Sequence, residues 1–592
     1  MPFVHAFAQV PEKKDSTRNF VDVVKDSRVS RELIRAITRK PPKEGVFNQK
    51  SEEIFLPFEG KIIRRVIINH IGFDKSITDT TRNLKNTTTK VMNALHKNSK
   101  EWLIRDHLIF KENKVVNPHA LADNERFLRD LDFIVDARIY VVPLYSTEDS
   151  VDVLVVTRDV FSVGGRLSPR STNKFSFRLY DVNVMGAGQR MQVNGYYDHG
   201  RSPNFGYELY YRKSSVAGSK INLTVGYTQL NTGSSYGDEQ ETAYYVRLDR
   251  PLVSSFSHVA GGLEFSRNWS QNFNSEPDST FKTYRYDVSD IWLGYNLSIR
   301  NNRTNRQRQF VSARFFDQKF VRRPDQIYDQ ANPAFNSRTS FLAAFTIFRQ
   351  EFYKTQYVYG FGRTEDIPYG HTYSVLAGYQ SLLKAKRPYV ALEANKSFVH
   401  REGNFFTFAF QAGAFPKNKG LEDATILLSG QLFSKLYHYK KYMIRRTLTA
   451  DYTHVFNQRT NTLLDINGVT YGLESFTADS LLGTKRVHGR YELTMYTPWV
   501  LFGFHIAPLA FVDMAFISPK GAGVFYDKPY VGLGAGVRTR NENLVFGTIE
   551  LKCFYYPRQY ENVTSFKVSV TTNLRIKYSA SFVKAPSFIQ YN

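Results

Sequence analysis

The sequence predicts a transmembrane antiparallel β-barrel preceded by a small α+β domain. Three observations carry this. Hydrophobicity alternates with a period of two from about residue 161 to the end. Aromatic residues reach 15% of the 592 while mean hydropathy is only −0.39. The alternating runs are long, and a strand that crosses a bilayer needs about 9–11 residues.

Composition excludes several classes. A single cysteine among 592 residues leaves no disulfide scaffold and no cysteine-based zinc site. Tyrosine and phenylalanine spread along most of the chain argue against collagenous or disordered classes. The best candidate for a membrane helix, Val500 to Ile517, holds His505, Pro508 and Asp513 near its middle. An interior proline costs a helix about 3 kcal/mol and a central aspartate a similar amount in lipid. This stretch therefore reads as two strand pieces and a turn.

In chain order, Ala6-Phe7-Ala8 before Gln9 has the small-x-small form of a secretory cleavage site, so residues 1–9 read as a signal-peptide remnant. Residues 10–58 are polar and read as an extension or linker, with one helical candidate from Ser30 to Arg39 stopped by Pro41-Pro42. Residues 59–160 read as the small domain. Lys61 to Ile71 is β-branched and reads as a strand; Thr88 to Asn98 and Glu101 to Phe110 have helical spacing, with Val91, Leu95, Trp102 and Leu103 as core. Asn117-Pro118 opens a helix over His119 to Leu131, with Leu121, Leu128 and Leu131 on one face. Phe133 to Val142 and Val151 to Thr157 complete a three-stranded sheet in the order β-α-α-β-β.

Residues 161–592 read as the barrel. Phe205, Tyr207, Leu209 and Tyr211 share one parity; so do Tyr244, Val246 and Leu248, and Phe406, Phe408 and Phe410. Leu551, Cys553 and Tyr555 face away from Glu550 and Lys552, and Phe566, Val568, Val570, Leu574, Ile576 and Tyr578 face away from Lys567, Ser569, Thr571 and Arg575. A soluble sandwich alternates too, but its strands average about five or six residues. Here the runs are longer and the opposite faces carry Lys, Arg, Asp, Glu and Asn, as a wet lumen does.

Two regions resemble a known family. Phe110-Lys111-Glu112, Asn124 to Arg129 and Asp136-Ala137-Arg138-Ile139 are similar to the late half of a POTRA domain. From Gly483 onward, Tyr491-Glu492-Leu493, Phe511-Val512-Asp513 and Gly532 to Arg538 are similar to the last strands of BamA/TamA family outer-membrane assembly proteins, also called bacterial surface antigens. Tyr180-Asp181-Val182-Asn183 to Gly186-Ala187-Gly188 resembles the entry to the first barrel strand. The resemblance covers roughly residues 60–592. It implies one periplasmic POTRA-like domain, a barrel of about sixteen strands, and help in inserting or translocating other proteins at the outer membrane of a diderm bacterium. Edge-strand pairing would do this at a seam between the strand of Phe175, Phe177 and Leu179 and the strand of Phe566, Val568, Val570 and Leu574.

One departure stands out. The family's long lumen loop carries a Val-Arg-Gly-Phe/Tyr motif whose arginine meets acidic groups on the wall. The corresponding residues here are Leu473, Glu474, Ser475 and Phe476. A glutamate there would repel Glu492 and Asp513, so Glu474 is expected either to pair with Arg490, or another lumen cation such as Arg538, or to lie in a loop that is out of register and solvated.

No catalytic, cofactor or metal site is expected. Gly233-Ser234-Ser235-Tyr236-Gly237 matches a nucleophile pattern but sits in a turn between alternating strands, without the strand-to-helix elbow. The net charge is +24, from 79 basic and 55 acidic residues. Arg300, Arg303, Arg306 and Arg308, with Lys440, Lys441, Arg445 and Arg446, fit anionic lipid headgroups at strand ends or simple solvation. No nucleic-acid motif accompanies them. The expected partners are the bilayer and other outer-membrane or periplasmic proteins, as clients or accessory subunits. The rivals are a channel or transporter, and a structural or interaction barrel that has lost insertase function.

Overall fold

The structure, a computed structural model, describes residues 49–591 except 72–96, 144–148, 172, 233–239, 274–280, 298–306, 325–332, 384, 401–402, 419, 460–462, 469, 479, 502–503, 542–547, 559, 561–563 and 574–582. Residues 1–9, the helical candidates Ser30–Arg39 and most of Thr88–Asn98, Gly233–Gly237, Arg300, Arg303, Arg306 and Leu574 fall outside the described residues.

The small domain holds β1 (Ile62–Ile71), α1 (Glu101–Asp106), α2 (Pro118–Arg129), β2 (Ile134–Pro143) and β3 (Ser150–Asp159). Its sheet runs β1-β3-β2, with β1 parallel and β2 antiparallel to β3. Asn117 caps α2, its side chain accepting from the backbone N–H groups of His119 and Ala120, and Pro118 stands where a missing N–H costs nothing. Leu121 and Leu128 turn into a core with Leu103, Ile104, Ile139, Val153 and Val155. Trp102 departs from expectation: it is exposed, with the Lys213 ammonium 5.1 Å from its ring centre. A helix of only six residues, Glu101–Asp106, buries one narrow face, and Leu103 and Ile104 occupy it. Residues 49–58, assigned by sequence to the linker, pack against both domains: Phe55 is in the small-domain core and Gln49–Lys50 pairs with Lys354 and Tyr353.

His107 ends α1 and is buried against Phe127 and Phe133. Burial pushes its pKa down to about 4, although Nδ1 bonds the Leu103 carbonyl. A neutral His that must charge on unfolding stabilises the fold only at higher pH. The domain should therefore lose about 3 kcal/mol as pH falls from about 6.5 towards 4. Denaturant-dependent proteolysis of the small domain at several pH values reads this, and His107→Gln should abolish the step.

Twenty longer strands follow and pair in sequence order among the described residues. They are β4 (Val163–Ser171), β5 (Lys174–Asp181), β6 (Gln189–Asp198), β7 (Phe205–Lys213), β8 (Asn222–Thr232), β9 (Gln240–Arg250), β10 (Val259–Gln271), β11 (Arg285–Asn296), β12 (Arg308–Arg322) and β13 (Arg338–Thr355). Then come β14 (Glu365–Leu382), β15 (Ala385–Val399), β16 (Phe405–Lys417), β17 (Gly420–Phe433), β18 (Tyr442–Phe456), β19 (Lys485–Tyr496), β20 (Phe504–Ser518), β21 (Tyr530–Arg540), β22 (Thr548–Tyr555) and β23 (Phe566–Asn573). All these pairings are antiparallel, and no register joining β4 to β23 is defined among the described residues. The count exceeds the expected sixteen. No helix among the described residues is long and apolar enough to cross a membrane. Val500 and Leu501 pair with His505 and Phe504 at the start of β20.

Burial in this sheet is inverted. Leu179, Phe265, Leu293, Phe341, Leu551 and Val568 are exposed. Arg308, Arg486, Asp513, Glu550 and Lys552 are buried. The concave face thus encloses the charged side chains together with buried apolar clusters, and the convex face is apolar.

Arg308 corrects the expectation of lipid or solvent contact. It is buried, with its guanidinium over Phe256 and Nε donating to the Ser255 carbonyl, because it opens β12 on the inward parity. Arg445 is likewise buried, donating to the carbonyls of Gln356, Tyr357 and Ser434. Lys440 and Lys441 remain exposed beside Tyr439 and Tyr442.

Candidate functional site: an ionic sheet wall, its packed loop and the domain junction

The loop between β18 and β19 folds against the concave face of β20–β22. Leu473 donates from its backbone to Ile466, and the Asn467 side chain accepts from the backbone of Ala478. Leu473 and Phe476 are buried among Leu509, Phe511, Tyr530, Phe554 and Tyr556. This anchors Glu474 between two apolar neighbours and aims its carboxylate at the wall.

The wall residues come from alternation. Arg490 and Glu492 lie on one face of β19, and Arg490 stands opposite Asp513 of β20. Arg538 of β21 stands opposite Glu550 of β22, two residues before Lys552. Arg490 Nη1 is 2.7 Å from Glu474 and 3.2 Å from Asp513, and Nη2 is 3.1 Å from Glu492. Its guanidinium also covers the Phe511 ring at 4.3 Å. Lys552 Nζ is 3.2 Å from both Glu474 oxygens and 3.0 Å from Glu550. Arg538 bridges Glu550 at 2.6 Å and Glu492 at 3.1 Å. The Tyr556 hydroxyl donates to the Glu474 backbone carbonyl.

Glu474, Arg490, Glu492, Asp513 and Arg538 therefore come together, with Arg490 between the carboxylates that would otherwise repel. Sequence reasoning omitted Glu550, Lys552 and Tyr556. Glu550 and Lys552 already sit on the polar parity of their strand, which is the signal that could have found them. Ser475 holds φ 62, the left-handed region that favours glycine. Ser475→Gly should stabilise the large sheet by about 1 kcal/mol, read as a higher temperature of thermal unfolding.

The residues assigned to the seam separate. Phe175, Leu179, Phe566, Val568 and Val570 are exposed on the convex face, and Phe177 stacks on Phe205. The first strand of the large sheet is β4, however, which pairs with β5 and displaces Phe175, Phe177 and Leu179 from the sheet's end. Gly164, Gly165 and Pro169 hid β4 from the alternation; proline, which lacks a ladder donor, is tolerated on an edge strand.

The junction is a second charged centre that the sequence did not signal as one. Arg129 of α2 makes a forked contact to Asp366 of β14 at 2.7–2.9 Å and donates to Glu125 at 2.5 Å. Lys354 of β13 reaches Glu125 at 2.5 Å, and the other Glu125 oxygen accepts from the backbone of Ile139. Arg126 donates to the Val253 carbonyl and covers Phe352. Gly186, at φ 69, lets the β5–β6 turn approach Asn98 so closely that a Cβ would lie 2.1 Å from its carbonyl oxygen.

No protein-family description and no curated protein matches this chain. Solved structures do show a partial likeness. BamA from Haemophilus ducreyi lacking POTRA domains 1–3 is 10% identical, with a TM-score of 0.32 over 87% of this chain and 85% of that one. CdiB from Escherichia coli is 10% identical, with a TM-score of 0.38 over 91% and 94%. The alcaligin outer-membrane receptor FauA from Bordetella pertussis is 11% identical, with a TM-score of 0.36 over 71% and 73%. At these scores the likeness assigns neither family nor activity.

Proposed function

We propose that this chain is an outer-membrane β-barrel protein with its small domain in the periplasm. We further propose that it assists insertion or translocation of other proteins by strand pairing at the barrel seam. Inverted burial carries the membrane part. Apolar side chains such as Phe341, Leu293 and Val568 lie on the exposed convex face, while arginines and carboxylates are enclosed. Each large apolar side chain gains about 1.5–3 kcal/mol on leaving water, and a sheet with its backbone paired is one of the two structures lipid tolerates.

Strand lengths support the seam. β4 holds nine residues and β5 eight, against 18 in β13 and β14. Shorter ladders open at lower cost, and an unpaired edge accepts another strand through its N–H and C=O groups. No covalent step or cofactor is needed. Lys440 and Lys441, exposed at the β17–β18 turn, suit lipid phosphates.

Cysteine pairs joining 163–171 to 566–573, in a Cys553→Ser background, test the seam. Oxidation should lower the abundance of other outer-membrane barrels in cells, and reduction should restore it. If locking changes nothing, the insertase reading fails and a pore or anchor takes its place.

A further inference from the structure

The segment that follows β23 in sequence packs against the enclosed face of the large sheet. Residues 583–591 have no regular secondary structure. Val583 packs with Leu252, Ala260, Phe310 and Phe348, towards the small-domain end of the barrel. Phe588 and Ile589 lie in the other half, where the Phe588 ring is 4.7 Å from that of Tyr389. The segment thus runs along the wall rather than across one end. Nine extended residues span at most about 30 Å, close to the thickness of a bilayer's hydrocarbon core.

The wall grips the segment through groups that any extended peptide possesses. Arg314 of β12 donates to the Pro586 carbonyl at 3.1 Å, and Arg486 of β19 donates to the Tyr591 carbonyl. The Tyr389 hydroxyl of β15 accepts from the Ile589 N–H at 3.3 Å. Specificity comes from an apolar pocket, in which Ile589 is buried beside Leu342, Leu376 and Phe415. A cavity of about 550 Å³ continues alongside, lined by Arg314, Phe316, Arg338 and Phe588. The lumen is therefore wider than its occupant, and withdrawal of the segment leaves the wall's own ion pair, Arg314 with Asp290, intact.

We propose that the concave wall from β12 to β19 is a binding groove for an extended polypeptide bearing aromatic and branched side chains, and that residues 583–591 fill it in cis as a displaceable plug. The inference rests on the membrane-barrel reading but not on insertase activity, and it locates where an extended client would lie.

The test compares the full chain with a form lacking residues 583–592 in planar bilayers. The shortened protein should conduct several-fold more. A synthetic peptide of residues 583–592 should close it in a dose-dependent way and leave the full chain unaffected, and a scrambled peptide should not close it. Phe588→Asp with Ile589→Asp, in the otherwise intact chain, should open it as well, so the proposal survives if the deletion fails to fold. Heat-modifiable gel mobility checks folding. Unchanged conductance in folded variants overturns the plug; an open pore that the peptide fails to close, or that the scrambled peptide closes equally, overturns the groove. A protein that never enters bilayers overturns the barrel reading instead.

Discussion

Arg490→Glu should destabilise the large sheet by about 3–5 kcal/mol, because removing one partner leaves buried charges uncompensated. Arg490 touches Glu474, Glu492 and Asp513 at once, so the variant puts a fourth carboxylate among three. The expected result is loss of the compact, heat-modifiable form at a temperature where the parent retains it. Adding Glu474→Arg should restore much of the loss, since the cation returns from the loop side. The rescue should be incomplete, because Lys552 then faces an arginine in place of its present partner Glu474. If the single variant runs like the parent, the loop is not held by this pairing.

Arg129→Ala is the second large effect. It leaves Asp366 and Glu125 buried, the latter with only Lys354 as a cation, and should cost the junction about 3–5 kcal/mol. The small domain should then become sensitive to added protease while the barrel keeps its gel mobility. The junction also has a pH signature. Burial pushes the Glu125 carboxyl up, but Lys354 and Arg129 overcome this and hold it at about 2, against an ordinary 4.5. A depressed carboxylate stabilises above its unfolded pKa and loses that contribution as pH falls through the folded one. Glu125 should therefore hold the domains together at neutral pH and release them between about 4.5 and 2. Glu125→Gln should remove that step.

The seam and the junction mark different limits of legibility. β23 was readable because Phe566, Val568 and Val570 alternate with Lys567, Ser569 and Thr571. β4 was not, because glycine and proline interrupt its pattern while the backbone still finds a partner in β5. Nothing in the helical spacing marks Arg126 and Arg129 as buried; they are so because the turn after β9 and strands β13 and β14, more than a hundred residues away in sequence, supply their partners.

What the chain determined locally is the two-faced strand, since a period of two sorts side chains between the exposed apolar face and the enclosed charged face before any strand has found its neighbour. The tertiary structure alone decided which charges meet. Ion pairs such as Glu474 with Arg490 and Arg129 with Asp366, and the seat of residues 583–591 against Arg314 and Arg486, join positions that no local periodicity relates. Side-chain direction is a local property of the backbone, whereas the curvature that brings distant strands around one interior belongs to the whole sheet.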